Sequence, residues 1–427
     1  VSTADTTIPI TITGVHAVEI LDSRARPTLA VTVSLADGTV ARAGVPSGAS
    51  TGSGEAVELR DRDAARYGGQ GVLTAMGSVN GEIAQAVAGR TFADLAELDA
   101  ALIELDGTAN KGRLGANAIV GVSMAAARAV ATSVGVPLWR HLNPAGVIPR
   151  LPVPHFNVVN GGVHAPNSLD FQEFMLAPIG APTIAEAVRA GAETYAALKK
   201  ILQGKGFATG LGDEGGFAPD ITRPEDVLSV LVEAITTAGY TPGRDGIAIA
   251  LDPAASEFHR DGAYHAAGQT LTTADMIDWY GQLTRDFPIW SIEDGLAEDD
   301  WDGWIALTAA LGGRVQLVGD DIFVTTPAII TDAISRKVAN AALIKVNQIG
   351  SVSETLQAMT ICRDGGYAAM VSHRSGETED TFIADLAVAT GAGQLKSGAP
   401  ARGERVAKYN RLLEIADSEP SMPYGLA

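Results

Sequence analysis

The chain reads as an α/β protein: a (β/α)8-type barrel at the C-terminal side, preceded by a smaller α+β domain. Two observations predict the barrel. First, apolar runs recur, and each ends abruptly in an ionisable group. Residues 246–251 run into Asp252, 287–292 into Glu293 and Asp294, and 315–319 into Asp320 and Asp321. Residues 342–344 run into Lys345, 367–372 into His373 and Arg374, and 394–395 into Lys396. A buried parallel strand opening onto a site has this pattern. Second, the intervening segments have helical periodicity, as in Met276, Ile277, Tyr280 and Leu283. Residues 302–311, 327–338, 353–364 and 378–391 carry the same signal. Strands alternating with helices predict a parallel sheet. An open sheet would concentrate its reactive residues at one switch point, whereas a barrel gathers strand ends around one face. Reactive groups at nearly every strand end favour the barrel.

The N-terminal part has a different grammar. Residues 10–19, 28–35 and 39–45 alternate apolar and polar, as half-buried antiparallel strands do, and Ala36-Asp37-Gly38 supplies a hairpin turn. Residues 46–54 are small and glycine-rich, a candidate mobile loop that closes over a ligand. Helices are predicted over 54–66, 72–88, 94–105 and 116–134. Leu95, Leu98, Leu102 and Leu105 give one apolar stripe behind Asp94. The proline-rich stretch 144–154 marks the passage to the barrel, dividing the chain into 1–145 and 146–427.

Composition limits the function. The 427 residues suit about two domains. A net charge of −19 repels nucleic acid and anionic membranes, so an anion site here must be locally basic. No apolar run approaches the ~20 residues of a membrane span. The start of the chain lacks signal-peptide character. Cys362, the only cysteine, permits no internal disulfide; the expected location is the cytoplasm, with a surface or secreted fraction as a further destination.

The chemistry lies at the strand ends. Three carboxylates at neighbouring ends, Asp252, Glu293 and Asp320, need a counter-cation, and hard oxygen donors select Mg²⁺, Mn²⁺ or Ca²⁺. Asp294 and Asp321 are adjacent alternatives that periodicity does not separate. Lys345 and Lys396 end apolar runs in a lysine-poor chain; a lysine beside cations is expected to have a lowered pKa and to serve as a base. Gln172 and Glu173 interrupt the apolar run 171–176, where a glutamate needs a partner or a function. Glycines bracket Asp213 and Glu214. His155 stands near these groups with no clear role. His373-Arg374-Ser375 places a guanidinium beside a hydroxyl, which suits phosphate. Metal, lysine base, buried acids and anion clamp together specify proton abstraction α to a carboxylate.

Ordered motifs carry a resemblance. Pro46-Ser-Gly-Ala-Ser-Thr-Gly52, Gly212-Asp-Glu-Gly-Gly216, Ser291-Ile-Glu-Asp-Gly-Leu296, Leu343-Ile-Lys-Val-Asn-Gln-Ile-Gly350 and Ser372-His-Arg-Ser-Gly-Glu-Thr-Glu-Asp380 resemble the enolase family, which the chain matches over almost its full length. The resemblance implies a reversible dehydration of 2-phospho-D-glycerate with two Mg²⁺ per active site when substrate is bound. It implies Asp252, Glu293 and Asp320 as ligands of the first ion and Ser50 as ligand of the second. Lys345 is similar to the base, and Glu214, assisted by Glu173, to the acid. Lys396 is similar to a contact of the substrate carboxylate, Arg374 and Ser375 to the phosphate clamp, and His164, Gln172 and His373 to further site residues. A homodimer or octamer is implied, with no nucleic-acid or membrane partner, and a barrel irregular at its start. The chain departs from the family at Ala25-Arg26, where glycine and asparagine are usual, at Pro166 and at His155. Such departures fit a paralogue acting on a carboxyphosphono analogue as the alternative; a binding or scaffold role is the second.

Overall fold

The computed structural model describes residues 9–49 and 51–427. The N-terminal domain is built on three antiparallel strands, β1 (Ile10–Leu21), β2 (Pro27–Leu35) and β3 (Val40–Gly44). A short β4 (Thr91–Phe92) pairs with the start of β1. Gly38, at φ 89°, turns the hairpin between β2 and β3. The helix Ala116–Ser133, nearly all of it buried, packs on β2 and β3. Its small residues allow the approach: a Cβ at Gly121 would stand 2.5 Å from Val31 Cγ2. The helix Leu95–Asp106 starts where expected, because the Asp94 side chain accepts from the Glu97 amide, and it ends at Gly107 in the left-handed conformation.

The helix expected over 54–66 is not formed. Its backbone groups are committed elsewhere: Ala56 N–H donates to Gln348 O, Val57 N–H to Asn110 O and Asp61 N–H to Gly71 O. These long-range bonds outweigh local helical preference.

The second domain is a closed eight-stranded barrel. Its strands are β5 (Val153–Asn160), β6 (Glu173–Ala177), β7 (Ala248–Asp252), β11 (Ile289–Glu293), β12 (Gln316–Gly319), β13 (Ala341–Ile344), β14 (Ala368–Ser372) and β15 (Gln394–Lys396). An excursion after β7 forms a small antiparallel sheet of β8 (His259–Arg260), β9 (Ala263–Ala266) and β10 (Gln269–Leu271). The barrel is irregular at its start, as the resemblance implied. β6 runs antiparallel to both β5 and β7, whereas the remaining neighbours are parallel. Two helices, Ile184–Gly204 and Pro224–Thr237, follow β6 in succession rather than alternating with strands. The last expected helix is also shorter, Phe382–Ala389, because Asp380 caps the Phe382 amide and residues before it are held by Glu377 and Arg128.

The reversal of β6 has a consequence for the site. In a parallel strand the C-terminal end faces the mouth of the barrel. In β6 it is the first residue, Glu173, and Gln172 just before it. No described helix is long and apolar enough to cross a membrane.

Candidate active site

The strand ends converge on a narrow cleft with room for about 30 Å³. From the expected set it is lined by His164, Gln172, Glu173, Glu214, Asp252, Asp320, Lys345, His373, Arg374, Ser375 and Lys396. Glu293 does not line it but is bonded to Lys396, which does. Ser50 lies outside the described residues. Glu214 stands on the loop between the two consecutive helices, not on a strand end.

Lys396 holds one side of the site together. Its Nζ lies 2.8 Å from Glu293 Oε1, 3.1 Å from Asp252 Oδ2 and 3.1 Å from Glu173 Oε2, all nearly inaccessible to solvent. Burial opposes its charge, but Asp252, Glu173 and Glu293 overcome this and hold its pKa well above the ordinary value. Burial, with Asp252 adding to it, pushes the Glu293 carboxyl well up. Lys345 makes a short contact with Asp320. Burial lowers its pKa, Asp320 raises it, and the net direction is upward. The lowering expected beside bound cations is a different case: here Asp320, with Asp321 and Glu293, holds the amine charged.

These residues fit a divalent cation. Asp252, Glu293 and Asp320 are oxygen donors at three neighbouring strand ends of the barrel, and Glu293 Oε2 is buried with no hydrogen-bond partner among the described residues. Carboxylates packed at this density call for positive charge, which the two lysines provide here. The ambiguity with Asp294 narrows. Both Asp294 oxygens accept backbone amides, Oδ1 from Asp320 at 2.8 Å and Oδ2 from Asp321 at 3.0 Å. Asp294 thus anchors the turn that presents Asp320. Among the described residues the three carboxylates close enough to share an ion as they stand are Asp294, Asp320 and Asp321, not Asp252, Glu293 and Asp320, and burial with Asp320 nearby pushes Asp321 up to about 8.

The opposite wall carries Glu173, Glu214 and His164, whose polar atoms lie within 4.8 Å of one another. Burial and the neighbouring Glu214 push the Glu173 carboxyl well above its usual range. Glu214 is buried too, but the imidazoles facing it hold it low on balance. The two carboxyls are thus pushed apart, Glu173 upward and Glu214 downward. Glu214 Oε2 accepts from Asn157 Nδ2 at 2.9 Å and lies 3.2 Å from His373 Nε2. Burial lowers the His373 pKa to about 3, so the ring is neutral.

Arg374 forms a two-bond pair with Glu55, both at 3.0 Å, and reaches Asn347 Oδ1. The glycine-rich loop lies directly on it: a Cβ at Gly48 would fall 2.1 Å from Arg374 Nη2, so the approach requires glycine. Ser47 and Gly376 exchange backbone bonds and fix the base of this loop.

Sequence reasoning missed several contributors. Glu55, Asn157, Gln348 and Arg405 carry no local signal, because each acts through a contact distant in the chain. Gln348 donates to Asp320 Oδ1 at 2.8 Å and accepts from Thr325 Oγ1 at 2.7 Å, and Thr325 Oγ1 accepts the Lys345 amide. His155 proves to be a core imidazole: fully buried, tilted against Trp290, and lowered by burial to about 4. Ala25 adopts φ 58°, a strained value for a residue with a Cβ, and Arg26 beside it is exposed.

Comparison with known proteins agrees with this geometry. The family model described as the enolase C-terminal TIM barrel domain matches residues 149–422, and that of the enolase N-terminal domain matches 12–142. A curated relative named Enolase, from Rubrobacter xylanophilus, is 58% identical over 409 residues, 95% of each chain. Another Enolase, from Acidothermus cellulolyticus, is 59% identical over 406 residues, covering 95% of this chain and 94% of the relative.

Proposed function

We infer residue roles from one premise: the chain belongs to the enolase family. It is a phosphopyruvate hydratase, a lyase that reversibly dehydrates 2-phospho-D-glycerate to phosphoenolpyruvate. The level and extent of identity favour this reaction over the carboxyphosphono alternative and over a scaffold role.

The observation that carries the roles is positional. Lys345 follows β13 and Glu173 begins β6, four strands apart around an eight-stranded barrel, so they face each other across the cleft. Glu214 stands with Glu173. A base on one side and an acid on the other suit an elimination in which a proton leaves C2 and hydroxide leaves C3. Lys345 takes the C2 proton as the free amine, so its contact with Asp320 must loosen first. Glu214, with Glu173 sharing the proton, protonates the departing hydroxide, and water is released. Arg374 and Ser375 hold the phosphate, which competes with Glu55 for the guanidinium. Lys396 meets the substrate carboxylate; His164, Gln172 and His373 shape the wall. Asp252, Glu293 and Asp320 would hold the first Mg²⁺ and Ser50 the second. Bound there, divalent cations neutralise the charge that develops on the substrate carboxylate as C2 is deprotonated. We place the enzyme in the cytoplasm as a homodimer or octamer, divided at about residue 145, with a small phosphorylated molecule as its partner.

The test is made in D₂O with 2-phosphoglycerate and Mg²⁺, following the C2 proton by NMR and the product by absorbance. Lys345→Ala should lose both exchange and dehydration. Glu214→Gln should retain exchange while dehydration falls by roughly 10²–10⁴. Exchange that survives in Lys345→Ala and vanishes in Glu214→Gln would reverse the two assignments.

A further inference from the structure

Arg405 is fully buried on the helix Gly403–Ser418, close to the site but outside the cleft. Its Nη1 lies 2.5 Å from His373 Nδ1 and 2.6 Å from Arg374 O. Its Nη2 donates to Ser375 O at 2.5 Å and to Asp213 O at 3.2 Å. A guanidinium has donors only and keeps its charge. His373 Nδ1 must therefore accept. The proton of the neutral ring then sits on Nε2, which has one neighbour of consequence, Glu214 Oε2 at 3.2 Å. That oxygen already accepts from Asn157 Nδ2 at 2.9 Å. The Asn157 amide bonded to Oε2 and the Nε2 nitrogen 3.2 Å away, close but not aligned as a hydrogen bond, both crowd that oxygen and disfavour a carboxylic proton on it. The other oxygen, Oε1, lies 3.8 Å from His164 Nδ1, on the side where Glu173 also stands.

We propose that Arg405 is a positioning residue that fixes the Nε2–H tautomer of His373 and thereby places the transferable proton of Glu214 on Oε1, the oxygen facing His164 and Glu173. This rests on the proposed role of Glu214 as acid. The arrangement also prevents His373 from taking that proton, because its only basic nitrogen is turned toward Arg405. The charged groups near this assembly include Arg405, Lys396, Asp252, Asp213, Glu173 beside His164 and Glu404 beside Arg405 Nε; none of them bonds His373 Nδ1 as an acceptor.

The experiment uses full-length enzyme with ¹⁵N-labelled histidine. Two-bond ¹H–¹⁵N spectra, with His373→Asn to assign the signal, report which ring nitrogen carries the proton. The wild-type ring should be the Nε2–H tautomer; an Nδ1–H ring would overturn the proposal whatever the kinetics. Arg405→Gln presents either a donor or an acceptor to Nδ1, so it should admit the second tautomer. Its kcat for dehydration should fall at least about tenfold with KM and C2 exchange little changed, and Arg405→Lys should recover much of the loss. Equal loss of exchange and dehydration in both variants would mean that Arg405 only supports the loop, and would overturn the proposal. The tautomer is read without turnover, so a failed acid role for Glu214 would appear separately, as lost exchange in Glu214→Gln.

Discussion

The two ends of the barrel obey different rules. At the mouth, Lys396, Asp252, Glu293 and Glu173 are all buried and all ionisable, and Lys345 meets Asp320 beside them. Deeper in, Val318, Ala341, Leu343 and Met370 form one apolar cluster, and Val153, Met175, Ala177, Ala248 and Ala250 belong to another. The polar groups at the starts of the strands are neutral and paired: Gln316 and Gln394 exchange amide bonds, and Gln316 also donates to Ser291. A neutral amide pair is inexpensive to bury, whereas clustered carboxylates cost several kcal/mol per ion unless compensated. The difference separates residues kept for packing from residues kept for reaction. Charge at the mouth should control metal affinity and rate, and bulk at the other end should control stability.

The largest effect expected outside the catalytic pair is on metal affinity. Removing a carboxylate ligand, Asp320→Ala, should sharply weaken Mg²⁺ binding in the absence of substrate, as read by calorimetry. Gln348→Ala keeps the Asp320 carboxylate and removes the amide that orients its Oδ1, along with that amide's bonds to Thr325 and Glu55, so its loss should fall in the roughly 10–100-fold range of outer-shell partners. Ser50→Ala should spare the first ion and weaken the substrate-dependent second one. Equal loss of substrate-free affinity in Asp320→Ala and Ser50→Ala would break the assignment of charge to separate sites.

Met370→Ala tests the other end. The side chain is buried among Val318, Ala341 and Leu343. Truncation should lower stability by about 2–5 kcal/mol through lost burial and a cavity. Mg²⁺ affinity should stay near wild type. A shifted urea midpoint with intact affinity sharpens the comparison; a parallel fall in affinity would mean that the two ends are mechanically coupled.

This division also explains what could be read in advance. Strands β7 and β11 to β15 were legible because each buried run stops at a charge, and the same stops mark Asp252, Glu293, Asp320, Lys345 and Lys396. The antiparallel β6 was not, because strand direction leaves no trace in a short apolar run. Glu173 consequently looked like an acid inside a strand, when it begins one. The segment 54–66 has helix-forming residues, but its bonds to Asn110, Gln348 and Gly71 are long-range and invisible to periodicity. Arg405 and Gln348 escaped for a related reason: each serves the site through a partner that only folding brings near. The loop at residues 46–54 was legible as glycine-rich, yet only the structure gives the reason at Gly48, its close approach to Arg374.

The smallest effect concerns a buried charge far from the mouth. Asp99, on the helix Leu95–Asp106, is 1% exposed, and its Oδ2 accepts the Ser353 amide at 2.9 Å and the Ser353 hydroxyl at 2.6 Å. This joins the N-terminal domain to the start of the barrel helix Val352–Asp364. Burial outweighs the serine donors and raises the carboxyl to about 6 from an ordinary 3.8. With the folded value above the unfolded one, the native protein binds the extra proton in this window. The contribution of Asp99 is therefore favourable at low pH and is lost as pH rises through about 6. Other carboxyls, Asp380 and Glu19 among them, shift downward and contribute the opposite slope, so the term is read only as a difference. The stability of wild type relative to Asp99→Asn should fall by about 1–2 kcal/mol between pH 4.5 and pH 8 in urea titrations. A difference independent of pH would mean that Asp99 stays ionised throughout. Buried charge would then be tolerated at the domain junction as well as at the mouth, and the division between the two ends of the barrel would lose its generality.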